Sequence, residues 1–142
     1  MRAYETTVAI AADPGVLWEV TRDVENWPRW SPTMTSVERL DDGPIRVGST
    51  ARVRQPKLRP ATWRVDEADP AGAFVWHTGG PGYRVRAVHR WHATATGAEM
   101  YLSAEMTGVL APLLWALTGA TVGRYVSQEA AALKVECEKR AS

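Results

Sequence analysis

Residues 109–140 can form only one long helix, and no other helical segment of comparable length exists to pair with it. Projected at about 100° per residue, Trp115, Gly119, Val122, Val126, Ala130, Leu133 and Cys137 fall on one stripe running its full length. A stripe of that length has to be covered, and the preceding chain offers strands to cover it. Leu110, Leu113, Leu114 and Leu117 form a second apolar face, confined to the first half of the helix.

Residues 4–10 read as a strand. Asp13-Pro14 supplies an N-cap and a first helical position for a short helix carrying Val16, Leu17 and Val20. Asp23 caps a second short helix, which Trp27-Pro28 is expected to end. Strands follow at residues 35–40, 50–55, 62–67, 73–78, 83–93 and 99–107, divided by Asp-, Gly- and Pro-rich turns. Alternation turns Ala51, Val53, Trp63, Val65, Phe74, Trp76, Val85, Ala87, His89, Trp91, Met100, Leu102, Ala104 and Met106 inward. Arg52, Arg54, Arg64, Arg84, Arg86, Arg90, Ser103 and Glu105 then face out. The expected fold is α+β: a curved antiparallel seven-stranded sheet around one long C-terminal helix, with two short helices after strand 1. Residues 1–142 make one domain.

Such a sheet leaves space at its wide end unless bulky side chains fill it. Seven tryptophans are a high count for 142 residues, and some are expected to line a cavity. Ala87, Ala104 and Gly119 alternate with the bulky residues, and Gly119 offers the sheet no side chain. The expected lining is Trp63, Trp76, His89, Trp91, Leu102, Met106, Trp115, Gly119, Val122 and Val126.

Charge excludes several classes. With 17 Lys and Arg against 16 Asp and Glu, the chain is neither a histone-like nucleic-acid binder nor an acidic tail. The outward arginines are read as a solvated face, because no aromatics interleave with them as nucleic-acid binding requires. A single cysteine, Cys137, rules out an internal disulfide and a multi-cysteine zinc site, and points to a reducing cytoplasm. The first five residues hold no apolar signal core. The uncharged stretch 109–123 is too short to span a bilayer and contains Pro112, so no stable membrane insertion is expected. No cofactor motif, Ser-His-Asp order or paired carboxylate site stands out.

Val8-Ala9-Ile10-Ala11-Ala12-Asp13-Pro14, then Val16-Leu17-Trp18-Glu19-Val20, then Asp23-Val24-Glu25-Asn26-Trp27-Pro28-Arg29-Trp30 resembles the START-like superfamily. The match is to its polyketide cyclase/dehydrase and lipid-transport branch, often called SRPBCC. Thr62-Trp63-Arg64-Val65 with Asp69-Pro70, the strand around His89, the Gly97 hairpin and Gly108 before the helix fit the same template. The resemblance implies a helix-grip fold, like that of the birch-pollen allergen, with a ligand cavity between sheet and helix. It also implies that the loop carrying Trp27 and Trp30 closes one end of that cavity. In the family's aromatase/cyclases the tryptophan matching Trp27 lines the pocket; the alternative is that Trp27 and Trp30 both plug the core. Those enzymes also place a pocket arginine in the fourth strand. Here that strand ends Val65-Asp66-Glu67 with Arg64 pointing outward, which weakens the cyclase reading.

His89 is the one polar side chain expected on the inner face of its strand. It either orients a ligand and moves protons, or is a core histidine satisfied by one hydrogen bond. His77 and His92 alternate to the other face, so no metal site is expected. Tyr83 and Tyr101 are candidate hydroxyls near the mouth. The reading taken is a binder of a small lipophilic or aromatic ligand, with no cofactor. One alternative is a polyketide cyclase/aromatase or dehydratase using the same cavity, with His89 catalytic. The other is a protein-interaction module with a vestigial cavity. The leucine face is expected to form a homodimer, or to be buried beneath the Trp27–Trp30 loop.

Overall fold

The computed structural model describes residues 2–142. Strands β1 (Ala3–Ile10), β2 (Ser36–Arg39), β3 (Thr50–Arg54), β4 (Ala61–Asp69), β5 (Ala73–Gly80), β6 (Tyr83–Thr94) and β7 (Gly97–Thr107) form one sheet in the order β1-β7-β6-β5-β4-β3-β2. Every pairing is antiparallel. Helix α1 (Pro14–Arg22), a single 3-10 turn (Val24–Asn26) and the one-turn helix α2 (Trp27–Trp30) follow β1, and α3 (Ala111–Ala141) closes the chain. The expected fold class stands.

Register sets which side chains face α3. Ala87 lies opposite Ala104, His89 opposite Leu102 and Trp91 opposite Met100, so the inward set stays in phase across β6 and β7. Between Val65 and Glu67 the β4–β5 register slips by one residue. That bulge returns Ala68 to the level of Phe74 and leaves both Asp66 and Glu67 on the outer face. There the two acids meet the arginines: Glu67 pairs with Arg90 at 2.9 Å, and Asp66 with His77 at 2.9 Å and Arg84 at 3.7 Å.

Two capping expectations fail in detail. Asp13 starts α1 with its backbone carbonyl, which accepts from the Val16 N–H at 2.9 Å, and not with its side chain. The 3-10 turn after Asp23 does stop at Trp27, but Pro28 does not end the helical path, since it sits in the first turn of α2. At that position its missing N–H would have had no helical partner, so nothing is lost.

Helix α3 buries Ala111, Gly119, Val126, Ala130, Leu133 and Cys137. Cys137 is fully enclosed, and burial pushes its thiol up to about 12, so it is an apolar packing group. The start of α3 is tied to the β5–β6 hairpin. Gly82 adopts φ +82°, and its carbonyl accepts from the Leu110 N–H at 2.8 Å. Gly108 turns the chain out of β7 at φ +114°, where a Cβ would strike the backbone of Gly82.

Candidate functional site

A cavity of about 620 Å³ lies between the sheet and α3. At its closed end stands Trp27, only 1% exposed, whose ring centroid is 5.3 Å from Trp76 and 5.5 Å from His89. The Trp27 indole N–H donates to the Thr21 carbonyl at 3.1 Å, so this residue offers the cavity only its ring. Trp63 and Trp76, 5.4 Å apart, continue one wall, and Leu102, Met106, Val122 and Val126 complete the apolar lining.

Four expected lining residues lie elsewhere. Trp91 turns inward but stacks on Trp18 of α1 at 6.3 Å, within the solid core. Trp30 packs behind Trp27 at 6.2 Å. Trp115 leans on Tyr4 of β1, with ring centroids 5.5 Å apart, and its indole lies over Gly119, where a Cβ would be 3.0 Å from the ring. Gly119 therefore seats a tryptophan and opens no space to the sheet. Each of these side chains finds an aromatic or glycine partner nearer than the cavity, which period alone cannot reveal.

His89 lies deep, 3% exposed. Its Nδ1 is 3.2 Å from the Phe74 carbonyl, an acceptor only, so Nδ1 carries the proton and donates. When the ring is neutral, this tautomer presents a bare lone pair at Nε2. That atom is 3.4 Å from Oε2 of Glu129 but not aligned to hydrogen-bond with it, and Nε2 has no hydrogen-bond partner. An ionised carboxylate is likewise an acceptor, so the pair requires a hydrogen between or beside its two atoms. A ligand hydroxyl supplies one; a proton held by the pair supplies the other possibility.

Three other polar side chains around the cavity are already engaged. Thr78 donates to the Thr62 carbonyl at 2.7 Å, Thr118 to the Leu114 carbonyl at 2.8 Å, and Gln55 to the Thr33 carbonyl at 3.2 Å. His89 and Glu129 are a facing polar pair with capacity to spare.

Sequence reasoning missed Glu129, although its position carried a signal. It stands three residues after Val126 and four before Leu133, the spacing of the apolar stripe itself. Also missed were Lys57 and Arg59, on the loop between β3 and β4, which border the cavity mouth. Tyr125 of α3 donates to the carbonyl of Pro56 on that loop. Tyr83 lines the cavity, whereas Tyr101 is on the outer face and donates to Glu5 at 2.8 Å. His77 and His92 face away from it, and no group of three or more metal-ligating side chains occurs among the described residues. The leucine face is not buried under the Trp27–Trp30 loop. Leu110, Leu113 and Leu117 are exposed, because α3 begins at the opposite end, beside the β5–β6 hairpin. Leu114 and Leu117 border the cavity.

A curved antiparallel sheet closed on one long helix, with a mostly apolar cavity between them, defines a helix-grip protein. The family model described as polyketide cyclase / dehydrase and lipid transport matches residues 1–138, and the chain belongs to that family. No curated protein matches the chain. Among solved structures it is similar to the Zhui aromatase/cyclase from Streptomyces sp. R1128, at TM-score 0.80 and 20% identity, covering 99% of this chain and 95% of that one. It is also similar to the di-domain ARO/CYC BexL from the BE-7585A biosynthetic pathway, at TM-score 0.74 and 23% identity, covering 97% of this chain and 47% of that one. Ara h 8.0201 superposes at TM-score 0.64 and 15% identity, over 96% and 97% of the two chains. At these identities the likeness is one of fold.

Proposed function

We propose that the protein binds a small, largely apolar or aromatic ligand carrying a hydroxyl group, held with that hydroxyl beside His89 and Glu129. The observation that carries this reading is the buried histidine nitrogen without a hydrogen-bond partner among the described residues, facing a carboxylate inside a mostly apolar cavity. Affinity comes from apolar surface removed from water, at about 25 cal/mol per Å². Orientation comes from the donor-seeking pair, since a ligand without a donor leaves both acceptors desolvated and unmatched, at a cost of about 1–3 kcal/mol. The ligand-binding set is Trp27, Trp63, Trp76, His89, Leu102, Met106, Val122, Val126 and Glu129. The match over residues 1–138 and the single buried Cys137 support one domain working in a reducing cytoplasm.

Calorimetric titration with 2-naphthol and with 2-methoxynaphthalene tests the reading, because the two differ mainly in the hydroxyl proton. Binding of 2-naphthol some five- to hundredfold tighter is expected. Equal affinities, or no binding by either, would overturn it. Mass spectrometry of molecules that co-purify with the protein then identifies the natural ligand.

A second reading is favoured by the same pair together with family membership: a cyclase or dehydratase in which His89 and Glu129 exchange protons with a polyketide-like chain. General acid–base assistance of this kind contributes about 10²–10⁴-fold in rate. Turnover of a poly-β-keto thioester separates an enzyme from a binder.

A further inference from the structure

We infer that the mouth of the cavity is a docking surface for an anionic lipid bilayer, on which the start of α3 lies in the interface. The exposed side of the first turns of α3 carries no charge. Val109 and Leu110 precede the helix at 87% and 43% exposure, and Leu113 and Leu117 follow at 60% and 73%. Residues 106–123 contain no Asp, Glu, Lys or Arg, whereas from Arg124 onward charged residues recur to the end of the chain. A water-facing helix surface is normally polar, and exposed apolar side chains grouped this way mark a contact surface.

Charge decides the occupant. The mouth is built by the β3–β4 loop, the β5–β6 hairpin and the first turns of α3, and residues 55–61, 78–85 and 106–125 contain no Asp or Glu. They meet there through two hydrogen bonds, Tyr125 to the Pro56 carbonyl and Leu110 N–H to the Gly82 carbonyl. The loop beside the leucines contributes Lys57 and Arg59, both exposed and in no ion pair among the described residues. Leucines rimmed by cations without acids complement a surface that is apolar beneath and negative above, which describes an anionic bilayer. A second copy fits less well, because a two-fold contact brings Lys57 and Arg59 near their own images. Among the described residues no helix is long and apolar enough to cross a membrane, and the contact inferred is interfacial. Leu117 belongs both to the exposed patch and to the cavity rim, so a docked molecule opens its cavity onto the lipid. A lipophilic ligand then enters without crossing water.

Vesicle flotation with the full chain tests this inference, using phosphatidylcholine alone and phosphatidylcholine with about one-third phosphatidylglycerol. Expected is flotation with the anionic vesicles only, weakened as salt shortens the screening length from about 10 Å at 0.1 M to about 3 Å at 1 M. Leu113→Glu, at a position outside the cavity, should lower vesicle affinity at least about tenfold, since burial of one leucine is worth that much. Lys57→Glu/Arg59→Glu should remove the preference for anionic lipid. Circular dichroism and melting of both variants establish that they are folded. Failure of the wild-type chain to float with anionic vesicles overturns the inference, as does flotation unchanged by Leu113→Glu. A concentration-dependent dimer abolished by Leu113→Glu, without flotation, assigns the patch to a second copy instead. Naphthol titration of the same variants without vesicles reports on the cavity alone, so failure of the ligand reading and failure of docking are distinguishable.

Discussion

His89 Nε2 and Glu129 Oε2 face each other across 3.4 Å, one from β6 and the other from α3, while Nδ1 of the same imidazole is committed to the Phe74 carbonyl. The pair brings the sheet and the helix face to face inside a cavity whose other walls are mainly apolar, and in the proposed function it selects for a hydrogen-bond donor.

Mutations of this pair should be strongly non-additive. His89→Phe preserves the ring volume but removes the Nδ1 donor to the buried Phe74 carbonyl, so it should cost about 1–3 kcal/mol of stability. Adding Glu129→Gln to His89→Phe should recover part of that loss, because a partly buried charge is removed. Urea unfolding of the two single variants and the double variant measures the coupling. Additive losses would mean that the two side chains do not interact.

Ala104 and Ala87 lie opposite each other on β7 and β6, and both border the cavity. Ala104→Leu should extend into that space without displacing core atoms. The thermal midpoint should hold or rise, since each newly buried methylene is worth about 0.8 kcal/mol. Affinity for 2-naphthol should fall at least about tenfold. A variant that melts lower and binds equally well would show that residue 104 packs against solid core.

Tyr125→Phe removes the hydrogen bond that ties α3 to the loop after β3. Because the bond is exposed, its loss should cost under about 1 kcal/mol in stability. Ligand exchange should speed up several-fold with little change in affinity, because the loop borders the way in. Stopped-flow tryptophan fluorescence measures both rates, and an unchanged dissociation rate would remove the latch role.

Asp41 supplies an acid-sensitive contact at the edge of the sheet. The Thr50 N–H at 2.9 Å and the Ser49 hydroxyl at 3.0 Å, helped by Arg39, hold its carboxyl below the ordinary 3.8. Because the folded value is depressed, this contribution is fully present above the ordinary value and is lost as pH falls through the folded one. Asp41→Asn should therefore lower stability at neutral pH and flatten its acid dependence. Melting curves from pH 7 down to pH 2 compare the two proteins. Parallel curves would exclude the contribution.

The strand segments, the long helix and the inward face were legible in the sequence because period-2 and period-3.6 patterns are local. The bulge at Val65–Glu67 was not, since it appears only when β4 is laid against β5. The tryptophans show the same boundary. Alternation turned Trp63, Trp76 and Trp91 inward alike, but only the first two border the cavity, because α1 brings Trp18 against the third. Gly119 and Trp115 share the gripping stripe, and the sequence could not show that one seats the other against β1. Period determines which face a side chain occupies. Which neighbour reaches it first is decided by the curvature of the sheet and the packing of α1 and α3. For that reason His89 could be read as inward from the sequence, while its partner Glu129, separated by 40 residues and a change of element, was assigned by the tertiary structure alone.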